Sequence, residues 1–170
     1  MKKILLSLVG ILISLSAYAS DDLTIGKGTH EITGSSGMDI SHSPGTTVFI
    51  LQGSYGYFLT NWFEPQIALG FAIASDFDAE VFSPVFNFYY NKGQKVLPFV
   101  GIGTGVISAA ADLGAGSVRE TSFLLSLGTG VTIPITKNVG YTATVSYSRT
   151  FSNGGSNTFS FTPIGFTLFF

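Results

Sequence analysis

Beyond an apolar leader, this chain alternates apolar residues with small or polar ones through nearly all of its length. A repeat of two is the period of a β-strand and not of a helix. The clearest stretch is 139–148. Val139, Tyr141, Ala143, Val145 and Tyr147 share one face, and Gly140, Thr142, Thr144, Ser146 and Ser148 share the other. The alternation continues to the last residue through Ile164, Phe166, Leu168 and Phe170. Chain ends fray unless something ties them down. A strand that stops on a bare aromatic residue therefore has to be paired and covered.

Eight such segments can be counted, at roughly 27–41, 46–59, 63–75, 81–91, 96–110, 118–133, 139–150 and 157–170, with ends uncertain by ~2–4 residues. Turn chemistry separates them, as at Ser43–Gly45, Thr60–Trp62, Asn91–Lys95, Leu113–Gly116, Pro134–Asn138 and Asn153–Ser156. An even number of strands joined by hairpins predicts an all-β fold, an eight-stranded antiparallel up-and-down transmembrane β-barrel. Closure removes the unpaired edges that would otherwise aggregate. In hydrocarbon it is obligatory, because no water is present to satisfy free backbone groups.

The leader has three parts: Lys2 and Lys3, an apolar run from Ile4 to Leu15, and the small-x-small pattern Ala17–Ala19. This is the form of a secretory signal peptide. The expected division is a signal at residues 1–19 and a barrel domain at 20–170. A spanning helix needs ~20 apolar residues, more than this run supplies. Loss of Lys2 and Lys3 leaves six basic residues against ten acidic ones, a net charge of 6 − 10 = −4. That balance argues against nucleic acid as a partner, since nucleic-acid binding needs a basic face. The chain contains no cysteine, so no disulfide framework stabilises it.

Alternation alone does not say which face is inside. A soluble barrel would carry many charged residues on its outer face. Charged residues are 11% of this chain, against ~25% in soluble domains. The non-apolar face is instead small: Gly101, Gly103, Gly105, Ser122, Ser126, Gly128 and Gly130. Such residues suit the narrow lumen that eight strands enclose. The expectation is therefore that Phe49, Leu51, Tyr55, Ile67, Leu69, Phe71, Phe86, Phe88, Val100, Ile102, Leu125 and Leu127 face lipid. Phe159, Phe161 and Phe169 break this parity and are assigned to the lumen.

If the chain enters from the periplasm, Tyr57, Trp62, Phe63, Tyr89, Tyr90, Phe99, Tyr141 and Phe170 gather at one rim. That is the expected membrane-interface belt of amphipathic rings. Phe82, Tyr147 and Phe151 fall near the opposite rim. Lys92, Lys95 and Lys137 are placed in the periplasmic turns, and Asp76, Asp78, Glu80 and Asp112 in outer loops. The simpler reading of those acids is a solvated rim. The sharper one is that they share divalent cations with lipopolysaccharide phosphates, since hard cations favour carboxylates.

Candidate chemistry is sparse. The chain has two histidines, His30 and His42. His42 stands between Ser41 and Ser43, but in extended chain neighbouring side chains point to opposite faces, so adjacency makes no dyad. Asp39 could approach if the loop curls. His30 lies near the start of the first strand, and its neighbour Glu31 is turned toward the lumen. The glycines at 101, 103 and 105 lack the helix start and spacing of a phosphate loop. No cysteine–histidine metal cluster is visible, and no cofactor is expected. Glu64 is a possible lumen polar residue near the periplasmic mouth. A buried carboxylate needs a partner, and Lys27 and Arg149 are the candidates.

The strands, Tyr55–Phe58 before the Thr60–Trp62 turn, Leu97–Gly105 and the terminal Phe170 resemble the small outer-membrane β-barrel family of Gram-negative bacteria, of the OmpX and OmpA membrane-domain type. The resemblance spans Ser20 to Phe170. It implies location in the outer membrane after export, contact with outer-membrane lipid and lipopolysaccharide, and a monomer. It also implies that the barrel-assembly machinery reads Ile164, Phe166, Leu168 and Phe170 as an assembly signal. The leading functional expectation is a non-enzymatic barrel with an envelope-structural or surface-interaction role. The alternatives are a lipid A-modifying enzyme using His42 and a narrow pore for small or apolar solutes.

Overall fold

The computed structural model describes residues 25–41, 47–74, 77–91, 96–112, 117–152 and 155–170. The expected signal, His42, Asp76, Lys92 and Lys95 lie outside these residues. Eight strands close a barrel in sequence order: β1 (His30–Ser41), β2 (Thr47–Tyr57), β3 (Phe63–Ala74), β4 (Phe77–Tyr89), β5 (Leu97–Asp112), β6 (Ser117–Pro134), β7 (Val139–Phe151) and β8 (Asn157–Phe169). Every neighbouring pair is antiparallel, and β8 returns to β1. The seam is tied at the chain end, where the His30 N–H donates to the Phe170 carbonyl at 2.8 Å and the Phe170 N–H donates back at 3.1 Å. Strands of 11 to 18 residues meet or exceed the ~9–11 residues a tilted strand needs to cross a bilayer. Among the described residues no helix is long and apolar enough to cross a membrane.

The direction of the alternation is as expected. All twelve residues assigned to lipid, from Phe49 to Leu127, are exposed on the outer wall. Gly101, Gly103 and Gly105 are buried on the inner one. An apolar exterior around a small-residue interior inverts the soluble pattern, because the solvent outside is hydrocarbon.

Strand β8 departs from simple parity. Its register slips between Phe161 and Ile164 against β1 and between Thr162 and Gly165 against β7, so β8 carries one extra residue. The slip falls at Pro163, which has no N–H to give to the ladder and is tolerated in strands mainly at edges or bulges. The Tyr141 hydroxyl donates to the Pro163 carbonyl across the slip. Beyond the bulge the faces exchange. Phe159 is therefore 53% exposed on the outer wall and Phe161 lies on the same side, which corrects their assignment to the lumen. Phe169, on the near side of the bulge, does fill the lumen at 3% exposure.

Strand β4 starts at Phe77 and not near 81, so Asp78 and Glu80 belong to a strand wall and not to a loop. Asp112 likewise ends β5. Glu80 is paired: the Arg119 guanidinium donates to it at 3.0 Å and to the Ser108 hydroxyl at 2.9 Å.

Candidate functional site

The lumen has two parts. At the end holding the chain terminus, Ile25, Phe58, Tyr89, Leu97, Phe99 and Phe169 form a buried apolar floor. Phe58 and Tyr89 have ring centroids 5.1 Å apart, as do Tyr89 and Phe99. The short segment before β1 seals this floor. Gly28, at φ 95°, adopts a backbone that disfavours side chains. Its N–H donates to the Phe58 carbonyl, and Asn91 donates to the Ile25 carbonyl at 2.6 Å.

Tyr89 and Phe99 were expected in the belt, and the structure corrects both. They face inward, 6% and 9% exposed. Their neighbours Phe88, Tyr90 and Val100 hold the outward positions. The other residues expected in the belt lie on the outer wall. Trp62 stacks on Phe88 with centroids 6.1 Å apart, Phe63 stacks on Phe86 at 6.2 Å, and Tyr141 meets Phe166 edge-on at 6.4 Å. Tyr57 packs on His30 at 4.8 Å. Ile164, Phe166, Leu168 and Phe170 form an outward stripe on the closing strand and its end.

Directly above the floor is a layer of buried polar groups. Glu31 on β1 is 2% exposed and accepts hydrogen bonds from Thr33 at 2.9 Å and from the Tyr89 hydroxyl at 3.4 Å. A hydroxyl ladder then crosses the seam: Thr33 to Thr167 at 2.8 Å, Thr167 to Thr142 at 2.8 Å, and Thr142 to Thr132 at 3.1 Å. Glu64 on β3 is fully buried, and the Asn87 amide donates to its Oε2 at 3.0 Å. Neither expected basic partner reaches it. Lys27 is exposed at the mouth, and Arg149 points outward over the Phe151 ring at 5.4 Å. β-strand parity decides this, because Arg149 pairs with the outward Leu125.

Above this layer the lumen opens into a cavity of about 600 Å³. Ser35, Ser54, Ser126, Ser146 and Ser160 line its middle, and Thr150 and Ser156 its far end. His30 does not face this space. Its ring stacks on Phe170 at 5.4 Å and its Nδ1 bonds the Tyr55 hydroxyl at 2.7 Å, both on the outer wall. Among the described residues no group of three or more acidic, histidine or cysteine side chains is arranged for a metal.

Sequence reasoning missed the floor and the threonine ladder. The signal was present in the parity: Thr132, Thr142 and Thr167 all fall on inward positions close to strand ends.

A family model described as the outer membrane protein beta-barrel domain matches residues 5–168. The chain belongs to that family, whose place is the outer membrane. Among solved structures, the N-terminal β-barrel domain of Pseudomonas aeruginosa OprF aligns with a TM-score of 0.70 at 17% identity, covering 85% of this chain and 99% of that one. Neisserial surface protein A aligns at 0.68 and 19% identity, covering 82% and 95%. The outer membrane enzyme PagL aligns at 0.54 and 15% identity, covering 81% and 97%. At such identities the likeness establishes the fold and no shared activity. Comparison with curated protein sequences finds no match.

Proposed function

We propose that this protein is a non-enzymatic, monomeric outer-membrane barrel with an envelope-structural or surface-interaction role. Its terminal end faces the periplasm, its belt and apolar wall contact membrane lipid, and its far rim meets lipopolysaccharide. Ile164, Phe166, Leu168 and Phe170 would be read by the barrel-assembly machinery. The observation that carries the reading is the sealed floor. Six buried apolar side chains pack together at one end of the lumen, and Ile25, Phe58, Leu97 and Phe169 lie outside the lining of the cavity, which supports a dead-end cavity over a through passage. The described histidine, His30, adds support: it is engaged with Phe170 and Tyr55 on the outer wall and not with a serine. A nucleophile and its base have to come within hydrogen-bond reach.

The cavity itself favours a second reading, a narrow pore whose floor is a gate. Purified barrel in a planar bilayer separates the two. Silence across a range of voltages and salts supports the structural role, and steady conductance by the unmodified protein refutes it. Incubation with lipid A, followed by mass analysis of its acyl chains, tests the enzyme alternative. Loss or transfer of a chain that disappears in His42→Ala would overturn the non-enzymatic reading.

A further inference from the structure

The buried layer above the floor contains two carboxylates and no described basic partner. Glu31 on β1 pairs in register with Gly56 on β2, and Gly56 pairs with Gln66 on β3. Glu64, two residues before Gln66, leans across that glycine. A Cβ built at Gly56 would lie 1.8 Å from Glu64 Oε1, so no larger residue fits beneath the carboxylate as it stands. The glycine gap thus lets Glu64 reach toward Glu31 over an intervening strand.

The hydrogen bonds leave this pair unbalanced. Glu64 Oε2 is taken by Asn87, while Glu64 Oε1 is buried with no partner among the described residues. A buried, unpaired carboxylate oxygen is costly. Nearby groups add oxygen and not positive charge: the Tyr89 hydroxyl on Glu31, and the Gln66 Oε1 that accepts from Asn87 at 3.3 Å.

We propose that Glu31 and Glu64 form a lumenal cation site that takes a hard divalent ion, calcium in preference to magnesium. Two carboxylates match a double positive charge, and Glu64 Oε1 is the buried oxygen left without a partner among the described residues. Calcium accepts six to eight oxygens in flexible geometry, whereas magnesium demands a near-ideal octahedron and dehydrates reluctantly. The cavity borders Glu31, Gln66 and Tyr89, so water can complete the shell. The bound ion ties β1 to β3 across the Gly56 gap, beside the seam where β8 closes on β1. Its role is to lock the closed barrel at its periplasmic end, and it stands apart from any activity of the far rim.

The test uses the full barrel refolded in detergent. Calcium should raise the unfolding temperature of the unmodified protein by several degrees at constant ionic strength, and magnesium should do less. Glu64→Gln keeps the shape and the Asn87 contact at the other oxygen. It should be more stable than the parent in chelator, lose the calcium response, and become the less stable of the two in calcium. Terbium supplies a direct readout, because a tyrosine at the site sensitises its emission. Emission should appear in the unmodified barrel, fall on adding calcium, be lost in Glu64→Gln and weaken in Tyr89→Phe. Glu80→Gln, on the outer wall, should leave it unchanged. Equal calcium responses in parent and Glu64→Gln would overturn the proposal. So would a barrel stabilised by acid alone and indifferent to calcium, which would mean that protons satisfy the pair.

Discussion

The two halves of the lumen are built from the same strands but packed by different rules. Near the carboxy-terminus, aromatic and aliphatic side chains meet in a buried floor, and the polar groups above it are drawn into a layer of hydrogen bonds that leaves Glu64 Oε1 unpaired among the described residues. Toward the far end the same inward positions carry serine and threonine around an open cavity of about 600 Å³. Strand pairing is continuous through both halves, so the contrast is one of side chains and not of backbone. The floor supplies the packing that a chain without disulfides needs, and the far half leaves room.

Disturbing the strand that serves both halves should have the largest effect. Deleting Ser160 makes Phe159 and Phe161 adjacent, so one of the two rings must turn inward whether or not the bulge at Pro163 is kept. It should force an aromatic ring into the cavity or a register slip through the seam, and little heat-modifiable barrel should be recovered. Next comes the floor. Phe58 is fully buried, and Phe58→Ala should cost about 3–5 kcal/mol in denaturant unfolding, the range for buried Phe→Ala changes. Thr167→Val cuts the ladder between Thr33 and Thr142. It should cost ~1–3 kcal/mol by stranding buried hydroxyls. In the far half, Ser146→Ala and Ser160→Ala should each stay within about 0.5 kcal/mol, as substitutions away from tight packing do. A floor no more sensitive than the far half would erase the contrast.

Much of this architecture was legible in the sequence because period two is a strong signal and the wall obeys it. The twelve outward residues follow from parity and from the scarcity of charge. The misplaced residues have particular causes. Phe159 and Phe161 were assigned inward because parity was carried through Pro163, although a proline inside a strand is one of the places where a bulge forms. Tyr89 and Phe99 were placed in the belt by their height along the barrel. Parity with Phe88 and Val100 would have turned them inward. Asp78 and Glu80 were read as loop because charge suggests a turn, yet Glu80 is held against the wall by Arg119. The partner of Glu64 was out of reach of any single-strand pattern. It depends on which strands become neighbours, on Asn87 standing opposite Glu64, and on the empty space left by Gly56.

The sealed floor is the feature on which the account turns, and single cysteines can measure it directly. The natural chain has none, so each probe reports alone. Ser148→Cys and Ser146→Cys line the cavity, and Thr132→Cys lies fully buried beside the floor. A small water-soluble thiol reagent applied to folded barrel should label the first two and spare the third. Adding Phe58→Ala and Phe169→Ala should open Thr132→Cys to the reagent. Equal labelling of all three positions in the otherwise unmodified barrel would contradict a closed floor.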